Sequence, residues 1–437
     1  MSQFVTTSEV RAVLGGLRRQ QVIDLVRSFT FVGALLLAWI SLRPFIDLGD
    51  QQVSDASSGN ETMTYAAFGG MAVLTIALAM RDNMRSLATL LTPGFVMFGA
   101  WMFVTVILSH DPSVSIRRFA LTSCVMAVAA GLMLLPKSQD ELARWLGIAA
   151  LTLLAVCYLG ILLAPNLSIH LASDVQEPAL AGNWRGVFGH KNMAAAVMAI
   201  LLFIGIYIIR SGAWLSGVAI IGLASLFLFY SAGKSSLTLC FAVLVLTSLT
   251  SVVRSFWLRT VLLLTPLVLL NLFSVGTVVS DGLAEIAKML PLDSSFTGRT
   301  GIWTFALQAL QLQLPTGYGF AAFWGNGAIL DLPEGMEWAA LVSHSHNGYL
   351  DTALTMGLPG LALLIAMLVI APLRNFHAAD RGGNDGPLTM LLLRIWLFGL
   401  YLSSMESFFL DRADPLWFTF LVAAFGLHYL ARFRARE

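Results

Sequence analysis

The chain has 437 residues, of which 57% are hydrophobic and 12% are charged, and its mean hydropathy is +0.78. A soluble protein of this size carries about a quarter charged residues, so the composition excludes an ordinary soluble domain. The net charge of +1, without any run of basic residues, argues against nucleic acid as a partner.

Apolar runs of about 20 residues, each long enough to cross a bilayer as a helix, recur along the chain. They predict an all-α polytopic membrane protein with a single membrane domain over residues 1–437. Four arginines precede the first run and no small-residue cleavage site follows, so we interpret that run as a retained anchor. Twelve spans are predicted, near residues 28–47, 65–80, 90–108, 116–135, 145–164, 191–209, 214–232, 235–253, 257–279, 348–371, 388–407 and 415–431.

The distribution of Lys and Arg predicts the orientation of these spans. With the N-terminus in the cytoplasm, sixteen of the 26 fall at cytoplasmic span ends, nine lie on the outer side and Arg394 lies within a span. Because cytoplasmic loops carry an excess of Lys and Arg, both termini are predicted to be cytoplasmic. Residues 165–190 and 280–347 then form two periplasmic loops. The second is predicted to carry part of the active site, with an amphipathic helix over 299–314 and a folded loop over 317–327.

The first polar cluster, residues 185–192 (RGVFGHKN), stands directly before an apolar span. If a helix begins near Asn192, its free backbone amides and the positive end of its dipole face the outer side. Together with Arg185, His190 and Lys191 they would form a binding site for an anion. The alternative is a charged cap that only anchors the helix at the interface.

The second polar cluster, residues 297–303 (TGRTGIW), places Arg299 between glycines. Glycine lets a backbone approach a ligand closely, and arginine binds phosphate oxygens in bidentate fashion. The alternative is an ordinary turn that leads into the amphipathic helix.

The third polar cluster, residues 344–351 (HSHNGYLD), carries two histidines at the start of a predicted span. A neutral imidazole accepts a proton at ordinary pH, so His344 and His346 are candidate general bases. If the helix starts near Asn347, Asp351 lies one turn further along and could orient His346 or Tyr349, or cap the polar end.

Three other features leave alternatives open. His190, His344 and His346 could bind zinc, but the chain has no HExxH pairing and no cysteine near them, so neither a metal nor another cofactor is predicted. Lys234, at a tight outer turn, could contact a lipid phosphate or be a loop charge. Glu406, near the outer end of the eleventh span, should face the bundle interior and could pair with an outer cation or form a structural salt bridge.

In their order, R-G-x-F-G-H-K-N, T-G-R-T-x-x-W and H-x-H-N-G-Y-L-D resemble the O-antigen ligase/polymerase superfamily of bacterial membrane glycosyltransferases, and most of all its ExoQ-like exopolysaccharide polymerase branch. The spacing from His346 and Asn347 to Gly357 also fits. The resemblance implies a fold similar to the GT-C glycosyltransferases, with a cavity at the outer leaflet of the inner membrane. It implies that Arg185 and Arg299 bind the donor pyrophosphate and that His346 is the base, without a metal. The additional His344 departs from the pattern.

The resemblance implies that undecaprenyl-pyrophosphate-linked repeat units are polymerised into exopolysaccharide or capsule at the periplasmic face, with inversion at the anomeric carbon. The implied partners are that donor, a glycan acceptor, membrane lipids and other polysaccharide export proteins. One alternative is a ligase that transfers glycan to lipid A core or protein. Another is a lipid-linked sugar flippase, which is expected to show paired repeats and midplane charges. The remaining residues predicted to bind substrate are His190, Lys191, Asn192, Lys234, His344, Asn347, Tyr349 and Asp351.

Overall fold

The computed structural model describes residues 7–49, 58–175, 177–289, 298–325, 339, 342–384 and 386–434. Within these ranges the chain forms seventeen α-helices and one isolated β-bridge, between Ile169 and Trp184. The helices are α1 (Thr7–Ile40), α2 (Ser58–Ala88), α3 (Pro93–Ile107), α4 (Pro112–Leu132), α5 (Gln139–Leu163), α6 (Pro165–Ser168), α7 (Lys191–Arg210), α8 (Trp214–Ser231), α9 (Lys234–Leu249), α10 (Phe256–Leu272), α11 (Gly276–Val279), α12 (Asp281–Met289), α13 (Arg299–Leu312), α14 (Gly348–Leu364), α15 (Ala371–Arg381), α16 (Pro387–Leu402) and α17 (Pro415–Leu430). A π-helical segment, Ile365–Ile370, joins α14 to α15.

Seven helical segments within the described residues are long and apolar enough to cross a membrane: α1, α2, α4, α5, α7, α8 and the continuous α14–α15. Five shorter apolar helices, α3, α9, α10, α16 and α17, coincide with the other predicted spans. At about 1.5 Å per residue, a helix of 16 residues covers roughly 24 Å of a hydrocarbon core about 30 Å thick. The chain is therefore a multi-pass, all-helical membrane protein, and the count of twelve crossings stays a prediction.

Near two prolines, a helix begins or ends at a different residue from the predicted span. Helix α1 ends at Ile40 rather than at residue 47, because the residue before Pro44 is disfavoured in a helix. Helix α3 begins at Pro93 rather than at residue 90. The Thr92 hydroxyl caps it by accepting the Phe95 N–H at 3.2 Å, and a proline at the first helical position lacks only an N–H that the helix does not use.

Two further helices end earlier than predicted. Helix α10 ends at Leu272 rather than at residue 279, and the short α11 follows. Helix α16 ends at Leu402 rather than at residue 407, because the chain turns there, with the Met405 and Glu406 amides both donating to the Leu402 carbonyl at 2.8 Å. This turn carries Glu406 out of the helix.

The centre of the bundle is formed by α7, α16 and α17, which contact one another. Helix α16 is buried without interruption from Leu391 to Leu402, and α17 from Leu416 to Leu430. Helix α7 is buried from Ala194 to Leu201. Helices surrounded by protein can be apolar on every face, which explains why these runs show no polar stripe.

A second apolar cluster packs α13 and the loop after it onto α14. It includes Trp303 and Phe305 from α13, Tyr318 and Phe323 from the loop, and Leu354 from α14. The predicted amphipathic helix is confirmed: its buried face contains Phe305, Ala306, Ala309 and Leu310. This cluster covers the end of the bundle at which α7 and α14 begin and α16 ends, which we call the site end.

Helix α14 bends at Gly357, where φ is +67°. The bend frees backbone groups that pair with the loop after α13: the Leu358 amide donates to the Leu314 carbonyl at 2.9 Å, and the Tyr318 amide to the Leu354 carbonyl at 2.8 Å. A Cβ on Gly357 would lie 2.5 Å from the carbonyl of Pro315. Glycine is therefore required both by the dihedral angle and by the contact.

Gly357→Ala is expected to destabilise the protein, because a left-handed residue with a Cβ costs about 1–2 kcal/mol before the clash with Pro315 is counted. Thermal unfolding of the detergent-purified protein measures the change. Gly222→Ala is the control, since that helical glycine has open space around it and alanine favours helices. Equal unfolding midpoints for the two variants would contradict this account of the bend.

Candidate active site

The three polar clusters meet at one side chain, the carboxylate of Glu406. Its Oε1 accepts hydrogen bonds from Asn192 Nδ2 at 3.0 Å and from Arg299 Nη2 at 3.2 Å. Its Oε2 lies 3.2 Å from His346 Nδ1. Glu406 thus pairs with one of the predicted outer cations, Arg299, and it contacts one residue of each cluster. It was not among the predicted site residues; the sequence signal for it was a lone acidic residue beside an apolar run.

These contacts keep Glu406 ionised. Burial by itself raises the pKa of the carboxyl group. The hydrogen bond with His346 and the charge of Arg299 outweigh that effect and lower the pKa to about 2. The Arg299 guanidinium also donates to the Met405 carbonyl, so two contacts fix it beside Glu406.

Glu406 determines which nitrogen of His346 carries a proton. An ionised carboxylate only accepts hydrogen bonds, so Nδ1 is the protonated nitrogen and donates to Oε2. Nε2 then carries a lone pair, and no described residue hydrogen-bonds to it. The His346 side chain is 29% exposed. An imidazole held in this tautomer at an accessible position can accept a proton from a bound hydroxyl.

The backbone of His346 adopts a left-handed conformation, with φ at +55°. Such a conformation costs energy for a residue with a Cβ and persists only where the surroundings impose it. The preceding residue is fixed on both sides: the Ser345 carbonyl accepts the Trp303 Nε1–H at 2.9 Å, and the Ser345 amide donates to the Asp351 carboxylate at 3.1 Å. The residue before the histidine is thus held by two elements.

Three roles were predicted for Asp351: orienting His346, orienting Tyr349, or capping the polar end. Among the described residues its hydrogen bonds include neither His346 nor Tyr349. It accepts from the Ser345 amide and from Trp324 Nε1 at 2.8 Å. The Tyr349 hydroxyl donates instead to the Leu400 carbonyl at 3.0 Å. The reason is the helical period, which places Asp351 on the side of α14 that faces the 318–325 loop and Tyr349 on the side that faces α16.

Asn347 is the N-cap of α14, which begins at Gly348, one residue from the predicted start. Its Oδ1 accepts the amides of Tyr349 and Leu350 at 3.1 and 3.0 Å, as an N-cap does. Its Nδ2 donates to Asn271 Oδ1 at 3.0 Å and to the Ser404 carbonyl at 3.2 Å. Asn347 is buried and its amide is fully engaged within the protein, so it fixes α14 to its neighbours; its predicted contact with substrate stays a prediction.

His344 packs edge-on against His346, with 4.1 Å between the ring centroids. Burial is the main cause that lowers the pKa of His344, to about 4, and the neighbouring His346 adds to it. His344 is therefore neutral at neutral pH. Its Nδ1 is buried and has no hydrogen-bond partner among the described residues.

The first cluster begins α7 at Lys191, one residue from the predicted start. The expectation of free amides at this helix end is wrong for the first two. His190 Nδ1 accepts the Asn192 amide at 3.0 Å, and His170 Nε2 accepts the Lys191 amide at 3.3 Å. Two imidazoles thus occupy positions where an anion was expected to bind, because a histidine nitrogen with a lone pair caps a helix as a side-chain oxygen does.

Each of these imidazoles is oriented by a carboxylate that the sequence analysis did not single out. His170 Nδ1 lies 2.9 Å from Asp174, and His190 Nε2 lies 2.7 Å from Glu177. The hydrogen bond with His190 lowers the pKa of Glu177, and His346 is close enough to contribute to the same shift. The 165–190 loop, described except for residue 176, is mostly irregular as predicted. Through the His170–Asp174 and His190–Glu177 pairs, this loop contacts the start of α7.

Arg185 and Lys234 lie apart from the contacts at Glu406. Arg185 is fully buried, and its guanidinium donates to the Ile46 carbonyl at 2.7 Å and the Phe188 carbonyl at 3.3 Å. Its Nε is buried without a hydrogen-bond partner. Lys234 is exposed at the first position of α9. The structure thus brings Arg299 and His346 together and leaves Arg185 bound to backbone carbonyls of nearby loops.

Two of the three histidines of the zinc alternative pair with carboxylates: His190 with Glu177, and His346 with Glu406. In the part of the chain that the structure describes, no group of three or more His, Cys, Asp or Glu side chains is arranged to hold a metal ion. Residues 290–297, which include Thr297 of the second cluster, lie outside the described ranges.

Glu406→Gln is expected to lower the thermal unfolding midpoint at pH 7, because it removes the charge that Arg299 faces. The pKa of Glu406 is about 2 in the folded protein and has an ordinary value of 4.5. Its ionised form therefore stabilises the fold above pH 4.5, and this contribution is lost as the pH falls toward 2. The difference between wild type and variant should shrink over that range. Glu285→Gln, at an exposed ion pair, is the control; a difference that does not depend on pH would contradict the assignment.

Comparison with known proteins gives two matches. Residues 223–365 match the family described as O-Antigen ligase. This range includes Arg299, His344 and His346, whereas Asn192 and Glu406 lie outside it. Over 114 residues the chain is 29% identical to the Exopolysaccharide production protein ExoQ of Rhizobium meliloti (strain 1021).

The second match covers 25% of this chain and 26% of the relative, so the chain spans about a quarter of the length of the curated relative it matches. The family match includes the second and third polar clusters, and both matches point to polysaccharide assembly. Residues 223–365 are therefore similar to the O-antigen ligase family, and a quarter of the chain is similar to ExoQ.

Proposed function

We propose that the protein is a glycosyltransferase that polymerises undecaprenyl-pyrophosphate-linked repeat units into exopolysaccharide or capsule at the periplasmic face of the inner membrane. The observation that carries the proposal is the convergence of Asn192, Arg299 and His346 on Glu406 at one end of the bundle. A base and a cation held together beside an apolar bundle suit a reaction on a lipid-borne anion. The family match and the printed name of the relative support polysaccharide assembly as the setting.

In this mechanism Nε2 of His346 takes the proton of an acceptor hydroxyl. The hydroxyl oxygen then forms a bond to the anomeric carbon of the donor. The bond between that carbon and the pyrophosphate oxygen breaks, and its electron pair leaves with the pyrophosphate. A single displacement of this kind inverts the anomeric centre. Glu406 stabilises the imidazolium that forms, because the carboxylate already accepts the Nδ1–H.

Arg299 is proposed to meet the negative charge that grows on the departing pyrophosphate. An arginine offers five N–H donors, and its contacts with Met405 and Glu406 leave others for phosphate oxygens. Arg185 is a proposed second pyrophosphate contact by family resemblance. It would have to exchange its bonds to the Ile46 and Phe188 carbonyls for bonds to phosphate.

A ligase that transfers the finished glycan to lipid A core or protein is the second candidate, and the description of the matched family favours it. Reconstitution of the protein with a lipid-linked repeat unit distinguishes the candidates through the length of the product. A ladder of glycans indicates a polymerase, and one fixed addition to a different acceptor indicates a ligase. Movement of the lipid-linked sugar across the bilayer without a new covalent bond would indicate a flippase and overturn the proposal.

His346→Ala is expected to reduce product formation in this assay to background, because no base remains for the acceptor hydroxyl. The amount of folded protein in the membrane should be unchanged, since the side chain is part-exposed. His377→Ala, at the opposite end of the bundle, is the matched control and should retain activity. Elongation by His346→Ala at a rate near that of wild type would refute the base assignment.

Arg299→Ala is expected to weaken use of the lipid donor by at least tenfold in kcat/KM, because one charged hydrogen bond contributes about 1.5–3 kcal/mol. Lys234→Ala, an exposed cation at the same end, should have a smaller effect. Arg185→Ala should impair donor use and should also lower the unfolding midpoint, because it removes the bonds to Ile46 and Phe188. Equal effects of Arg299→Ala and Lys234→Ala on donor kinetics would contradict this ranking.

A further inference from the structure

A cavity of about 360 Å³ lies beside the two histidines. His344 lines it, whereas His346, whose ring centroid is 4.1 Å from that of His344, does not. The volume falls within the range of about 300–1,000 Å³ that is common for small-molecule sites. No step of the mechanism above uses this space.

Part of the cavity lining is aromatic and consists of Phe323, Trp324 and Phe409. Trp324 is held in place by its Nε1–H, which donates to Asp351 at 2.8 Å, and by Phe323, whose ring centroid is 4.8 Å away. A fixed indole offers a large apolar face at little cost in conformational entropy. A sugar ring presents a matching face of C–H groups.

The lining also includes polar residues that carry charges of both signs: Arg118, Arg412, Asp351 and Asp411. Arg118 is anchored by a hydrogen bond to the Ala321 carbonyl. Guanidinium groups donate hydrogen bonds and carboxylates accept them, and a sugar hydroxyl can do both. The two arginines and the two carboxylates balance in formal charge, so the mixture favours a neutral polyhydroxylated ligand over an anion such as a second pyrophosphate.

The position of the cavity assigns it to one of the two substrates. Glu406 contacts both Arg299 and Nδ1 of His346, and Arg299 is the group proposed to face the donor pyrophosphate. The cavity instead adjoins His344, which packs on the ring of His346. Two ligands could therefore approach His346 from separate directions.

We propose that this cavity binds the terminal saccharide of the glycan acceptor, stacked on Trp324, so that one of its hydroxyls reaches His346 past His344. The inference rests on the proposed glycosyl transfer and adds where the acceptor binds. It predicts that changes in the cavity wall affect the acceptor and spare the lipid donor.

The test uses the full-length protein, with lipid-linked repeat unit from the membranes of its own host as donor. The acceptor is the same repeat-unit oligosaccharide freed from its lipid. Trp324→Ala is expected to raise the acceptor KM about tenfold, which corresponds to about 1.4 kcal/mol, and to leave the donor KM within about twofold. Trp257→Ala is the matched control, since that tryptophan is 75% exposed on α10 and does not line the cavity. An unchanged acceptor KM, or equal rises for both substrates, would overturn the proposal.

Because Trp324 also bonds to Asp351, its removal could weaken the fold, so Arg412→Gln provides a second change in the same cavity that leaves this bond intact. It too should raise the acceptor KM selectively. Saturation-transfer NMR measures binding of the free oligosaccharide. It distinguishes failure of the saccharide site from failure of the proposed glycosyl transfer. If wild type binds it but transfers no glycan, and the cavity variants lose binding, the proposed function fails and the saccharide site stands. If wild type does not bind it, the saccharide site is refuted.

Discussion

The carboxylate of Glu406 is the constraint on which the rest of the site depends. A part-buried carboxylate is costly unless cations and hydrogen-bond donors surround it. Glu406 obtains these from residues that are 214, 107 and 60 positions away in the sequence: Asn192, Arg299 and His346. Satisfying one charge therefore ties together the starts of α7, α13 and α14 and the turn after α16. The hydrogen bond between Glu406 and His346 Nδ1 also selects the tautomer of His346.

The polar residues at this end of the bundle differ in whether their hydrogen-bonding groups are all engaged within the protein. Asn347 and Asp351 have their hydrogen-bonding groups engaged within the protein, and they fix the backbone around His346. His346 keeps a nitrogen without a described hydrogen-bond partner, on a residue with φ at +55°. A strained residue held by saturated neighbours is preorganised for a reaction, because little of its geometry has to change when substrate binds.

The start of α7 shows a similar use of imidazoles for a structural purpose. His170 and His190 cap two amides, and Asp174 and Glu177 orient them. The positive end of the helix is thus met by neutral nitrogens rather than by an anion. The helix still delivers Asn192 to Glu406, so the first polar cluster contributes to the site through a side chain instead of through its backbone.

The sequence by itself determined the class of the protein and the order of its apolar helices, since lipid requires long apolar helices and the chain supplies them. It also located the three polar clusters, the amphipathic α13 and the start of α14, because these are local patterns. Only the tertiary structure decided that Glu406 joins the clusters, that Arg185 is buried against carbonyls and that Asp351 holds a turn rather than His346. The first two outcomes depend on contacts between residues more than a hundred positions apart, such as Glu406 with Asn192 and Arg185 with Ile46, and such contacts leave no periodic trace in a single chain. The third depends on which side of α14 meets the 318–325 loop.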